Sequence, residues 1–139
     1  MSLVLDASVA LAWQFQRRDE RESALAEDVL CRLPEAGAWV PPIWCAEVAN
    51  ALLRGERAGV LQATQSSFFL EQLRQCRIVV DSASPLATQA RIVELARWHG
   101  LSTYDASYLE LALRLNLPLA TFDRKLEEAA RAAGVCVVE

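Results

Sequence analysis

Short apolar runs alternate with longer helix-like patterns along this chain of 139 residues. Strands that alternate with helices pair in parallel through right-handed crossovers, because a parallel neighbour requires a long return connection. The alternation therefore predicts an α/β fold with a central sheet of short parallel strands. The predicted strands are 3–6, 38–40, 78–80, 119–121 and 135–138, and the predicted helices are 8–15, 21–33, 43–57, 62–75, 85–98, 103–115 and 124–133.

Size and composition predict one domain, residues 1–139, because 53% of the residues are hydrophobic and a chain of this length can bury a real core. No stretch approaches the roughly 18 consecutive apolar residues of a membrane span, and Asp6 interrupts any signal-peptide pattern. We therefore expect a soluble, cytoplasmic protein with no membrane association.

The cysteines do not indicate a zinc site. They are widely spaced, form no C-x-x-C pair and are accompanied by one histidine, His99. We expect unpaired thiols, which suits a reducing cytoplasm. His99, next to Gly100, fits the end of a helix, where the helix dipole favours a basic residue.

Four carboxylates occupy positions that an α/β fold brings together. Asp6 and Asp123 follow predicted strands, Asp105 lies at the start of a predicted helix, and Glu47 lies within another. Sites in open α/β sheets form at the strand ends, and four acids meeting there repel one another unless a cation neutralises them. Oxygen-rich carboxylate groups suit Mg²⁺ or Mn²⁺. The set predicts a metal-dependent phosphodiesterase.

Three of these acids also have purely structural explanations. Asp6 and Asp123 are each placed to cap the helix that follows, and Asp105 forms the S-x-x-D capping pattern with Ser102. Glu47 is harder to explain in this way, because its helix is largely apolar and a carboxylate there needs a solvated boundary or a partner. Asp81 also follows an apolar run, and its context predicts a turn or a helix start.

Net charge does not decide the substrate class. The chain has 14 basic and 18 acidic residues, for a formal charge of −4. Setting aside the four clustered acids leaves 18 − 4 = 14 acidic against 14 basic residues. The composition therefore neither supports nor excludes an RNA substrate, whose binding rests on phosphate contacts.

The chain resembles the PIN-domain family, most closely its VapC-like toxins of type II (VapBC) toxin–antitoxin systems. The resemblance rests on four segments in order: L-V-L-D-A-S at 3–8, P-x-x-x-x-E-V-A-N-A-L at 42–52, L-S-T-Y-D-A-S-Y-L at 101–109 and L-P-L-A-T-F-D-R-K-L at 117–126. It implies a PIN-like three-layer α/β/α fold with a central parallel sheet. It also implies an Mg²⁺- or Mn²⁺-dependent endoribonuclease, in which a metal-activated water would cleave the phosphodiester.

The same resemblance implies residue roles and partners. The family's four acids fall on Asp6, Glu47, Asp105 and Asp123, as catalytic and metal-binding residues, with Ser8, Asn50 and Thr121 in support. Asn50 lies three residues after Glu47, on the same helical face. The implied partners are an RNA substrate, a second copy of the chain in a homodimer, and a VapB-like antitoxin lying across the active-site groove. The helix around 62–75 is a candidate partner-binding surface.

Three other classes of protein bear comparison. A non-catalytic PIN-like module that binds RNA or protein remains the alternative, because intact acids do not demonstrate turnover. A haloacid-dehalogenase-type phosphatase needs an aspartate two positions after Asp6, where this chain has Ser8. A receiver domain needs an adjacent acidic pair at this point, whereas Leu5 and Ala7 flank Asp6. These two classes are therefore excluded by their own motifs.

Overall fold

The computed structural model describes residues 1–139 and has a three-layer α/β/α architecture, which confirms the predicted fold class. A four-stranded parallel sheet in the order β3-β2-β1-β4 forms the middle layer. The strands are β1 (Leu3–Leu5), β2 (Ala38–Val40), β3 (Ile78–Val80) and β4 (Leu119–Ala120), and the helices are α1 (Ala7–Leu11), α2 (Glu20–Ala36), α3 (Ile43–Arg57), α4 (Ala63–Gln75), α5 (Pro85–His99), α6 (Thr103–Leu115) and α7 (Arg124–Ala132).

The register of the sheet positions the site. Leu5 of β1 is aligned with Ala120 of β4, and the Asp6 N–H donates to the Ala120 carbonyl at 3.0 Å. Because the two strands are parallel and in register, both end at the same edge. Asp6 and the segment 121–123 are therefore neighbours, although more than 100 residues separate them in sequence.

The core is one cluster of 26 buried residues around β1. Leu3, Val4 and Leu5 are all at most 1% exposed, because helices cover both faces of the sheet. A strand buried on both faces has no polar positions, which explains why β1 is a short uninterrupted apolar run. Every helix falls short of the length and apolar character needed to cross a membrane.

The prediction of a strand at 135–138 is wrong, because these residues form only an isolated bridge. Only one bridge forms there, between Leu119 and Val137, with Leu119 N–H donating to the Cys136 carbonyl at 2.9 Å. β4 has two residues, so it offers too short a template for a longer partner. The second hydrogen bond of this bridge runs from the Val138 N–H to the Leu119 carbonyl at 2.9 Å.

Two predicted helix boundaries also move by more than one residue. α1 ends at Leu11 and not at residue 15, because the following N–H groups of Ala12 and Trp13 bond three residues back in turns. α2 continues through Pro34 to Ala36. A proline in a helix removes one backbone hydrogen bond and crowds the carbonyl four residues earlier, but close to the C-terminus little helix remains to be disturbed, so α2 tolerates Pro34.

Candidate active site

Asp6 is held by two hydroxyl groups. It is 5% exposed, and its Oδ2 accepts hydrogen bonds from Ser8 Oγ at 2.6 Å and Thr121 Oγ1 at 2.7 Å. Each hydroxyl in turn accepts a backbone N–H at 3.0 Å, from Phe122 onto Ser8 and from Asp123 onto Thr121. Because a hydroxyl has one proton to donate, these backbone contacts direct both protons towards Asp6. Asp6 Oδ1 receives neither of them.

The helix-capping role considered for three of the acids applies to Asp123 but not to Asp6. The Asp6 side chain makes no capping hydrogen bond, so the capping interpretation is wrong for this residue. Asp123 does cap α7, because its Oδ1 accepts the Leu126 N–H at 2.9 Å. Its Oδ2 makes no protein hydrogen bond, so capping leaves that oxygen available. At the start of α6, Ser102 Oγ accepts the Asp105 N–H at 3.1 Å, and the Asp105 carboxylate accepts no backbone N–H in return.

Glu47 lies half-buried on α3 and has a partner that the sequence interpretation missed. Tyr108 of α6 donates its hydroxyl to Glu47 Oε1 at 2.6 Å. Tyr108 is completely buried between the buried residues Ala106 and Leu109. The available signal was a phenol on an apolar helix close to Asp105, since a buried tyrosine hydroxyl usually finds a hydrogen-bond partner.

Asn50 lies on the exposed side of α3, and no hydrogen bond joins it to Glu47. Its supporting role therefore stays a prediction. Ser8 and Thr121, in contrast, contact Asp6 directly.

The four carboxylates, which we call the acid cluster (Asp6, Glu47, Asp105 and Asp123), act on one another. Burial is the main cause of a raised pKa at Asp6, Glu47 and Asp105. Repulsion adds to it: Asp123 raises the pKa of Asp6 and Asp105, and Asp6 raises that of Glu47. Hydrogen bonds act in the opposite direction and lower these pKa values: those from Ser8 and Thr121 lower the pKa of Asp6, and the one from Tyr108 lowers the pKa of Glu47. The fold therefore places all four acids in one neighbourhood.

Positive charge is scarce at the acid cluster. None of the seven ion pairs of the chain includes one of its members. Lys125 lowers the pKa of Asp105, but its effect is the smallest of those acting on that residue. The protein itself therefore does not neutralise these carboxylates.

The donor set fits a hydrated, hard divalent cation. It consists only of carboxylate oxygens, and Asp6 Oδ1 and Asp123 Oδ2 receive no side-chain donor. No three acidic, histidine or cysteine side chains form a ready-made metal-binding group. Mg²⁺ tolerates such spacing, because it keeps several waters and takes one or two carboxylates directly. Structural zinc, in contrast, requires four close ligands, typically cysteine or histidine.

Comparison with known proteins places these observations in a family. The pattern described as the PIN domain matches residues 3–132. The chain belongs to the PIN-domain family. It is 32% identical over 130 residues to Ribonuclease VapC3 of Pyrobaculum aerophilum, an alignment that covers 92% of this chain and 94% of that protein. The resemblance inferred from the sequence motifs is confirmed.

Solved structures support the same assignment of the fold. PAE2754 from Pyrobaculum aerophilum superposes with a TM-score of 0.73 at 24% identity, over 99% of this chain and 90% of that one. VapBC2 from Rickettsia felis, solved with a DNA fragment from its promoter, gives a TM-score of 0.67 at 14% identity, over 99% and 97%. At these identities the likeness shows the PIN fold alone.

Two cavities of this PIN domain are lined by residues outside the acid cluster. The larger, of about 810 Å³, opens beside Thr121 and Phe122, between α2 and the C-terminal segment. The smaller, of about 330 Å³, lies between α5 and α6, and its wall includes Asp81 and Glu110. Members of the acid cluster line neither cavity, so these carboxylates lie at the sheet edge outside both.

Proposed function

We propose that this PIN domain is an endoribonuclease that depends on Mg²⁺ or Mn²⁺ and acts as the toxin of a toxin–antitoxin pair. The observation that carries the proposal is a cluster of four mutually repelling carboxylates, at the common end of β1 and β4, without an ion-pair partner. The ribonuclease activity named for the Pyrobaculum relative supports the choice of RNA.

The hydrogen bonds of Asp6 and Asp123 support the proposed metal-binding roles. Asp6, Asp105 and Asp123 would hold the cation directly or through waters, and Glu47 would complete the set. When bound, the cation would supply the positive charge that activates a water and offsets charge on the phosphodiester. Ser8 and Thr121 fix the orientation of Asp6, which leaves Oδ1 for this purpose.

The helix cap orients Asp123 in the same way. Asp123 Oδ1 accepts the Leu126 N–H, and Oδ2 is left without a protein donor. These fixed orientations matter, because outer partners that position a metal ligand contribute strongly to affinity.

The partner proposals rest on the family and on exposed apolar surface. We propose a VapB-like antitoxin, homodimer formation and a cytoplasmic location for a single-domain protein. The assembly named VapBC2 in Rickettsia felis supports an antitoxin partner. On α4, Phe68 is 66% exposed while Phe69 packs in the core, so this helix presents an apolar side chain outwards.

The test is cleavage of total cellular RNA by antitoxin-free protein in Mg²⁺, in Mn²⁺ and in EDTA, with mapping of the new 5′ ends. We expect discrete cuts that disappear in EDTA and with Asp6→Asn. The matched control is Asp81→Asn, which changes an aspartate at another strand end that Arg114 neutralises, and it should cut like the wild type.

Two results would change the assignment. Equal cutting by Asp6→Asn would contradict the nuclease site. Folded wild-type protein that cuts no RNA in either metal would favour a non-catalytic module that binds RNA or protein.

A further inference from the structure

Tyr108 is a buried titratable group that the functions described above do not use. Its side chain is 0% exposed on α6, and its hydroxyl donates to Glu47 Oε1 on α3 at 2.6 Å. Glu47 accepts no other hydrogen bond from the protein. The bond joins two helices through residues that lie 61 positions apart in the sequence.

The direction of this hydrogen bond follows from the chemistry of the two groups. A tyrosine hydroxyl carries a proton at neutral pH, whereas an ionised carboxylate only accepts hydrogen bonds. Tyr108 is therefore the donor, and Glu47 is the acceptor. Glu47 Oε2 is left without a protein donor.

Glu47 needs such a restraint. Its flexible side chain is only half-buried, and the charges of Asp6 and Asp105 repel it. Without a donor on the core side, repulsion would turn the carboxylate towards solvent, where water stabilises its charge. A neutral phenol can hold the carboxylate near other acids without neutralising it, which an arginine would do.

We propose that Tyr108 is a positioning residue that holds the Glu47 carboxylate towards Asp6 and Asp105 for binding of a divalent cation, an inference that rests on the proposed function. The competing explanation is that Glu47 merely satisfies a buried phenol. The two differ in one respect: only positioning makes the effect of Tyr108 on cation affinity depend on Glu47.

A double-mutant cycle separates them. Wild type, Tyr108→Phe, Glu47→Ala and the double variant would be titrated with Mn²⁺ by calorimetry, without RNA. Their unfolding in urea would be measured in EDTA. We expect Tyr108→Phe to weaken Mn²⁺ binding about tenfold, the lower range for partners that orient ligands. In the Glu47→Ala background the same change should have no further effect.

Two control variants sharpen the cycle. Tyr104 lies on the same helix as Tyr108, and its exposed hydroxyl makes no hydrogen bond. The Tyr104→Phe variant removes this hydroxyl and should bind Mn²⁺ like the wild type. Glu47→Asp shortens the acid so that it no longer reaches Tyr108, and it alters no apolar core side chain. It should weaken Mn²⁺ binding about as much as Tyr108→Phe, and it replaces that variant if the latter fails to fold.

The outcomes are distinguishable. Equal effects of Tyr108→Phe in both backgrounds, or wild-type affinity in Tyr108→Phe or Glu47→Asp, would overturn the positioning role alone. Wild-type protein that binds no Mn²⁺, but whose unfolding still shows coupling between Tyr108 and Glu47, would overturn the proposed metal site and the positioning role with it.

Discussion

Two groups of acids in this PIN domain are stabilised in opposite ways. In the arginine-paired cluster (Asp81, Glu110 and Arg114), Arg114 contacts Asp81 Oδ2 at 2.6 Å and Glu110 Oε1 at 2.7 Å. The side chain of Glu110 is only 4% exposed, yet its charge is matched. The acid cluster is also partly buried, but it has hydroxyl and phenol donors where the other cluster has a guanidinium.

The difference separates a structural role from a functional one. Unpaired buried charge is unfavourable, and a fold normally neutralises it, as Arg114 does. Ser8, Thr121 and Tyr108 orient carboxylates while adding no positive charge. We propose that the acid cluster, which is oriented but not neutralised, binds an external cation, whereas Arg114 already neutralises the arginine-paired cluster.

The largest effect should come from separating the two roles of Asp123. Asp123→Ser keeps an N-cap for α7 but removes the carboxylate, so RNA cleavage should fall by more than about 100-fold, the upper range for an outer partner of a metal ligand. Asp123→Ala removes both functions and should be less stable than Asp123→Ser by about 1 kcal/mol. Cleavage assays and urea unfolding would measure the two effects. Wild-type cleavage by Asp123→Ser would reduce Asp123 to a helix cap.

The second effect concerns the arginine-paired cluster. Arg114→Met keeps the aliphatic stem but leaves Asp81 and buried Glu110 without their cation. Because Arg114 is partly exposed, the free energy of unfolding should fall by about 1–3 kcal/mol, less than for a fully buried pair. The cleavage rate of the remaining folded protein should not change. A loss of cleavage without loss of stability would contradict the division between the clusters.

The smallest effect is the pH dependence of stability in EDTA. A carboxyl group with a raised folded-state pKa binds its proton more tightly in the folded protein. Its stabilising contribution is present below the unfolded pKa of about 4 and is lost as the pH rises through the raised value. Asp6→Asn removes one such group, so relative to the wild type it should gain stability between about pH 4 and neutrality.

Urea unfolding at several pH values would show this as a difference that grows with pH. Asp81→Asn provides the comparison, because Asp81 is paired and its loss should not stabilise the protein at neutral pH. A constant difference between Asp6→Asn and the wild type at all pH values would mean that Asp6 does not carry the burial penalty.

Much of this organisation was accessible from sequence because its signals are local. Ser102 caps α6 and Gly100 ends α5 in the left-handed region, and both were placed by their immediate neighbours. Asp81 accepts the Ala83 N–H at 3.3 Å, so its predicted turn is confirmed. Parallel strands end at a common edge of the sheet, so the proximity of Asp6 and Asp123 could be predicted from the positions of the strands in the sequence.

The remaining features depend on distant side chains. The pairing of Arg114 with Asp81 spans 33 residues, and that of Tyr108 with Glu47 spans 61. Which face of α6 meets α3, and which meets the end of β3, depends on the rotation of packed helices. Periodicity in a single sequence does not determine that rotation. The loss of the strand at 135–138 has a similar origin, since it depends on the length of β4.

Direct titration of the metal-free protein with Mn²⁺ tests the central contrast most directly. We expect binding by the wild type and by Arg114→Met with similar affinity, and a loss of binding in Asp6→Asn and Asp123→Ser. Bound Mn²⁺ should also raise the free energy of unfolding of the wild type, by about 2.7 kcal/mol at 100 times its dissociation constant. No binding by folded wild type, or equal binding by Asp6→Asn, would contradict the account.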